Sequence, residues 1–184
     1  MINAGFLTMP QLEAGLNHIR QSPRDNGVLK MIVRRPQENE REVIERGELD
    51  PLYGLLGDSW KARGGHTEDG SAYMNTQITI MNSRTIALLA QDPERWPLAG
   101  DQLYIDIDLS ADNLPPGTRF VLGTAILEVS AEPHTGCKKF SSRFGVEAMK
   151  FVNSAEGKRL RLRGINVKVV QAGTIRVGDI VRKI

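Results

Sequence analysis

Leu103-Tyr104-Ile105-Asp106-Ile107-Asp108-Leu109 places an apolar side chain at every second position and carboxylates between the later ones. That is the repeat of an extended strand, whose successive side chains point to opposite faces, so one face is apolar and the other carries Asp106 and Asp108. Paired carboxylates invite an acid-base or metal-binding reading, but a solvated strand face explains them more simply. Downstream the pattern continues. Asn113-Leu114-Pro115-Pro116-Gly117 is a turn, residues 120–123, 125–129 and 167–170 are short strands, and 173–181 reads as turn, strand, turn and closing strand. Short, closely spaced strands separated by turn residues predict a mainly β fold, barrel-like or sandwich-like.

Upstream, Leu12, Leu16 and Ile19 share one face of a predicted helix over 11–21, and Asp25-Asn26-Gly27 turns the chain into a buried strand at 28–33. A short strand follows at 41–45. Residues 50–69 are irregular and glycine-containing, a pattern suited to a loop lying close against a ligand or to an ordinary surface connection. A strand is predicted at 76–80 and a helix at 82–90, ended by Pro93 and Pro97. The few helices are short. At 184 residues the chain has the length of one domain, with 1–40 supplying the N-terminal helix and first strand and 41–184 the main body of the barrel.

Hydrophobic residues at 40% and charged residues at 25% exclude a disordered or fibrous class. A single cysteine permits no internal disulfide, and neither a signal-peptide pattern nor a run of about 18 apolar residues is present, so a cytoplasmic protein without a membrane segment is expected. Charge is unevenly distributed. From Cys137 to Ile184 there are twelve Lys or Arg against Glu147, Glu156 and Asp179, a net of +9, whereas the chain before Cys137 has a net of −7. The basic segment suits an anionic ligand, and equally a solvated face. Aromatics at 5% supply no stacking platform, which argues against nucleic acid.

The one cysteine lies in Glu132-Pro133-His134-Thr135-Gly136-Cys137-Lys138-Lys139-Phe140. A lone cysteine is often a small buried apolar side chain, but Gly136 before it and two lysines after it point to an exposed loop where cations favour the thiolate. A helix over 143–153, capped by Ser141 or Ser142, is predicted to aim its N-terminus near that loop. His66 and His134 are available as polar contacts, while the three histidines are too scattered to form a metal site.

Together, Gly136-Cys137-Lys138-Lys139-Phe140, Arg143-Phe144-Gly145, Leu162-Arg163-Gly164 and Gly173-Thr174-Ile175-Arg176-Val177-Gly178-Asp179 resemble a stand-alone MOSC domain, the family named for the C-terminal part of molybdenum cofactor sulfurases. Gly57-Asp58 and Gln77-Ile78-Thr79 extend the likeness upstream. The resemblance implies a barrel-like β fold and a role for Cys137 as catalytic residue, either ligating the molybdenum of a molybdopterin cofactor or carrying sulfur as a persulfide. It implies Lys138, Arg143, Arg161 and Arg163 as holders of the cofactor's phosphate. A molybdenum-dependent oxidoreductase acting on N-hydroxylated compounds would need an external redox partner. A sulfur carrier would be loaded by a separate cysteine desulfurase, because the 184 residues contain none of the desulfurase region; pyridoxal phosphate binding is implied for the family at large and not for these residues. They also leave little room for the N-terminal barrel of the amidoxime-reducing relatives. The remaining alternative is a non-catalytic ligand-binding barrel with a structural cysteine.

Overall fold

Asn26 takes a left-handed backbone conformation, φ 53°, and turns the chain into the strand that closes the fold. In the computed structural model, which describes residues 5–184, two short helices precede that strand, α1 (Met9–Ala14) and α2 (Leu16–Arg20). They are followed by β1 (Gly27–Arg34), β2 (Glu42–Ile44), β3 (Arg46–Asp50), β4 (Gly54–Leu55), α3 (Trp60–Arg63), β5 (Ile78–Asn82), α4 (Ser83–Ala90), a 3-10 helix over Pro93–Ala99 and β6 (Leu103–Asp106). The C-terminal half contains β7 (Arg119–Leu122), β8 (Ala125–Val129), α5 (Lys138–Phe144), α6 (Val146–Asn153), α7 (Ala155–Arg159), β9 (Ile165–Gln171), β10 (Gly173–Arg176) and β11 (Ile180–Lys183). The first four residues of the expected N-terminal segment lie outside the described residues.

Seven strands run β1-β11-β7-β8-β9-β5-β6, and β6 pairs back onto β1, so the sheet closes and these staves present no unpaired edge. Every pairing is antiparallel except β5 with β6. A parallel pair needs a crossover, and α4 with the 3-10 helix provides it. Asn82 anchors this crossover: its Oδ1 accepts from the N–H of Arg84 and Thr85, while its Nδ2 donates to the Ile107 carbonyl at 2.7 Å. β2 extends the sheet beside β1, and β10-β3-β4 form a separate three-stranded sheet.

Two cores share the barrel wall. Leu103 and Ile105 face the barrel interior with Leu29, Ile80 and Leu127, as the alternation predicts. The other face of β6 is not simply solvated: Tyr104 is fully buried, packed with Met81 and Val33 against Phe140, Phe144 and Phe151 of the helices. Asp106 and Asp108 are structural. Asp106 accepts from Arg84 Nε at 2.8 Å, and Asp108 Oδ1 accepts from the Ser110 N–H at 2.9 Å.

Glycine breaks two of the predicted helices. Gly15 separates α1 from α2, where a Cβ would stand 2.5 Å from a Leu88 methyl. Instead of one helix over 143–153, α5 begins directly after Cys137 and ends at Gly145, whose φ of 93° admits no regular helix and whose open face is filled by the Phe6 ring. Cys137, not Ser141 or Ser142, holds the N-cap position. Residues 155–157 lie within α7, whose start is capped by Ser154 Oγ accepting from the Gly157 N–H at 2.9 Å. Among the described residues no helix is long and apolar enough to cross a membrane.

Candidate functional site

The loop from Ser130 to Cys137 joins β8 to α5 and is held at several points. Ser130 N–H donates to the Asn166 carbonyl at 2.9 Å, Asn166 Nδ2 donates to the Glu132 carbonyl at 3.1 Å, and the Tyr73 hydroxyl donates to Glu132 Oε2 at 3.0 Å. Nearer the cysteine, the Asn153 amide clamps Gly136 reciprocally, accepting from its N–H at 3.0 Å and donating to its carbonyl at 3.2 Å. The backbone is therefore fixed on both sides of the thiol. Cys137 itself is exposed and extended, with its carbonyl accepting the first turn of α5 at 3.0 Å from Ser141.

Behind this loop sits a buried group of three. Arg163 Nη1 donates to Asp101 Oδ2 at 2.7 Å, with Asp101 fully buried and Arg163 nearly so. The other Asp101 oxygen faces His134 Nδ1 at 3.5 Å, too far for a normal hydrogen bond. These two atoms and Arg163 Nε are buried without a hydrogen-bond partner among the described residues. Burial, then the Arg163 charge, lowers the pKa of His134 to about 4, with Asp101 opposing and Arg35 adding to the fall. His134 is consequently neutral at pH 7. Gly164 lies against the pair with φ 115°, where a Cβ would be 2.3 Å from the Ile80 carbonyl oxygen and 3.3 Å from His134 Nδ1. Gly164→Ala should therefore lower stability by roughly 2 kcal/mol, since both the backbone region and the space exclude a side chain. A urea titration against the parent protein measures it.

The end of the 3-10 helix gathers four guanidinium groups. Its successive carbonyls at Pro97, Leu98, Ala99 and Gly100 accept from Arg41 (3.2 Å), Arg143 (2.8 Å), Arg163 (3.0 Å) and Arg35 (2.8 Å) respectively. Carbonyls at a helix C-terminus carry partial negative charge and suit cations. Two of the four are also neutralised by carboxylates, Arg163 by Asp101 and Arg35 by a bidentate pair with buried Asp58 at 2.8 Å. Arg41 and Arg143 have no carboxylate partner among the described residues, and exposed Arg63 of α3 faces the same region. The pKa of Arg41 is lowered by burial first, then by the charges of Arg143, Arg35 and Arg63. Crowded like charges of this kind are relieved by an anion.

Two clefts flank the cysteine loop and share the wall from Glu132 to Thr135. One, of about 380 Å³, is bounded by Arg35, Arg63, Thr76 and Asn166, with Gly64 and Gly65 leaving backbone exposed. The other, of about 440 Å³, lies on the side of α7 and the start of β9. His134 borders both.

The residues expected from sequence divide between these places. Arg143 joins the arginine cluster, as does Arg163, which is committed to Asp101. Arg161 donates to the Leu114 carbonyl at 2.7 Å and borders the second cleft, away from Arg143. Lys138 and Cys137 are exposed at the head of α5 and border neither cleft. Neighbouring Lys139 pairs with Glu38 at 3.1 Å, tying that end of α5 to the turn before Arg41. Arg35, Arg41 and Arg63 were not expected, because they sit in the acidic part of the sequence and only the fold brings them to Arg143. Among the described residues no group of three or more His, Cys, Asp or Glu is arranged to hold a metal ion.

A family model described as the MOSC domain matches residues 64–182. Among solved structures, the YuaD protein from Bacillus subtilis superposes with a TM-score of 0.59 at 19% identity, covering 85% of this chain and 94% of that one. YiiM from Escherichia coli gives 0.54 at 16%, covering 85% and 69% of the two chains, and YiiM from Geobacillus stearothermophilus gives 0.52 at 14%, covering 88% and 74%. Identities this low carry the fold alone. No curated protein matches the sequence.

Proposed function

Because this chain belongs to the MOSC domain family, we propose that it binds a molybdenum-molybdopterin cofactor with Cys137 as metal ligand and acts as a small oxidoreductase on N-hydroxylated compounds, taking electrons from an external donor. The observation that carries this reading is the arginine cluster at one end of α5 whose other end carries an exposed thiol: Arg41 and Arg143 share four successive carbonyls with two neutralised arginines and have no carboxylate partner among the described residues. Cys137 and Arg143 stand at opposite ends of α5, about 9 Å apart along the helix axis. Thiolate suits the metal, and forked guanidinium groups suit the phosphate. When bound, the cofactor supplies a two-electron redox centre that the protein's own side chains lack. Arg63 and the backbone of Gly64 and Gly65, which line the neighbouring cleft, would orient its pterin side. The fixed backbone at Gly136 holds the thiol at the head of α5.

Molybdenum and pterin should co-purify with the protein from a host that makes the cofactor, and both should vanish in Cys137→Ser. That substitution should leave stability unchanged or raise it by up to about 0.5 kcal/mol, since serine is the better N-cap residue and the position is exposed. Absence of both metal and pterin from the parent protein in such a host would exclude the reading.

A second reading rests on a different feature. Cys137 borders neither cleft and is open to another protein, as a thiol loaded by a cysteine desulfurase must be. As a sulfur carrier it would gain one sulfur, about 32 Da by mass spectrometry, after incubation with a desulfurase and cysteine, and lose it in Cys137→Ser. An unchanged mass rules this out.

A further inference from the structure

The cleft on the α7 side of the cysteine loop has properties the cofactor reading does not use. Its volume of about 440 Å³ falls within the range of small-molecule sites. Ala131, Pro133, Val152 and Ile165 make much of its wall apolar. Besides Arg163, which is paired with Asp101, two cations border it, Lys158 in the last turn of α7 and Arg161 just beyond. Neither forms an ion pair among the described residues. The bordering carboxylate, Glu132, is already engaged by the Tyr73 hydroxyl.

Arg161 is the unusual member. It is half-buried, and burial alone lowers its pKa, with no carboxylate acting to raise it. One neutral carbonyl, that of Leu114, accepts from Nη1, and its other guanidinium nitrogens have no partner among the described residues. Its backbone is held at φ 50°, a left-handed conformation uncommon for a residue with a long side chain. The turn holding it is closed by its own hydrogen bonds, Arg161 N–H to Lys158 carbonyl at 3.2 Å and Gly164 N–H to Arg161 carbonyl at 2.8 Å. On the inner wall, Arg163 is more than nine-tenths buried and its Nε has no partner among the described residues. A partly desolvated guanidinium without counter-charge, at the edge of an apolar cavity, is what an anionic ligand would complete.

We propose that this cleft is a second ligand site, separate from the arginine cluster, which takes a small carboxylate with an apolar body, its carboxylate held by Arg161 and Lys158 and its body seated against Pro133, Val152 and Ile165. The site does not depend on the cofactor, so protein from a host unable to make the cofactor serves for the test. Benzoate is the probe, with benzamide as its neutral counterpart and inorganic phosphate as an anion without an apolar body. Titrated into isotopically labelled protein, benzoate should give saturable amide shifts at residues 131–135 and 157–165, with benzamide and phosphate each at least about tenfold weaker. Arg161→Gln should weaken benzoate by a similar factor with the far-ultraviolet circular dichroism spectrum retained. If that variant fails to fold, Lys158→Gln, at an exposed position, should show a smaller loss in the same direction. The proposal is overturned if benzoate shows no saturable response with a dissociation constant below about 10 mM. It is also overturned if benzamide or phosphate binds as well, or if the folded cation variants bind benzoate like the parent.

Discussion

Asp101→Leu should destabilise the folded protein by about 3–5 kcal/mol, because it removes one partner of a buried ion pair and leaves the other charged. Asp101 is fully buried and its Oδ2 receives Arg163 Nη1 at 2.7 Å. Without the carboxylate, the guanidinium keeps one hydrogen bond, to the Ala99 carbonyl at 3.0 Å, and its position 4.9 Å from the Phe140 ring centroid. Neither offsets a buried unpaired cation. The double variant Asp101→Leu/Arg163→Met should recover much of the loss, since a well-packed apolar pair often replaces a buried ion pair at little net cost. Denaturant titrations of the parent, the two single variants and the double variant form a cycle, and a strong favourable coupling is the expected result. A loss below about 1 kcal/mol in Asp101→Leu would show that the pair is not the anchor its burial suggests.

That pair also shows what the sequence makes legible. Strand β8 runs over the residues its apolar alternation marks, and β6 keeps its inward face at Leu103 and Ile105. Period-two patterning reports which side chains alternate, not what each face meets, so the burial of Tyr104 beneath a helical layer was hidden in it. The breaks at Gly15 and Gly145 were hidden for a related reason. A glycine within a helical pattern is tolerated often enough that only the close packing of Leu88 and Phe6 against these positions reveals the interruption.

The site was legible at Cys137 and much less so around it. A charge tally along the sequence assigns cations to the C-terminal segment, yet Arg35 and Arg41 come from the acidic part and meet Arg143 through carbonyls of the 3-10 helix. No residue type in Pro97-Leu98-Ala99-Gly100 signals this, because the acceptors are backbone groups. His134 lies in the cysteine loop that the sequence marks, but its significance depends on Asp101 and Arg163, which only the closed barrel brings to it.

His134 should make the protein measurably less stable between pH 6.5 and pH 4, before most carboxylates contribute. In the unfolded chain a histidine takes up a proton near pH 6.5, whereas burial and the nearby Arg163 and Arg35 hold the folded His134 to about pH 4, only partly opposed by Asp101. Above pH 6.5 both states are neutral at this residue and its contribution is fully present. As pH falls through the window the unfolded chain binds a proton that the folded chain refuses, so stability drops by about 1.4 kcal/mol per pH unit, approaching about 3 kcal/mol at pH 4 and levelling off below it. The strongly hydrogen-bonded carboxylates of Asp69 and Glu156, each lowered to about 2, lose their contribution at more acidic pH and can be separated from it. His134→Gln removes the titrating group, so its stability should vary much less than that of the parent from pH 7 to pH 5. Asp101→Leu should shift the His134 transition lower still, because the carboxylate is the neighbour that favours the charged ring. Denaturant midpoints at several pH values, together with the His134 ring resonances followed by NMR, measure both effects. A parent profile matching that of His134→Gln would mean that the ring is solvated and free to charge.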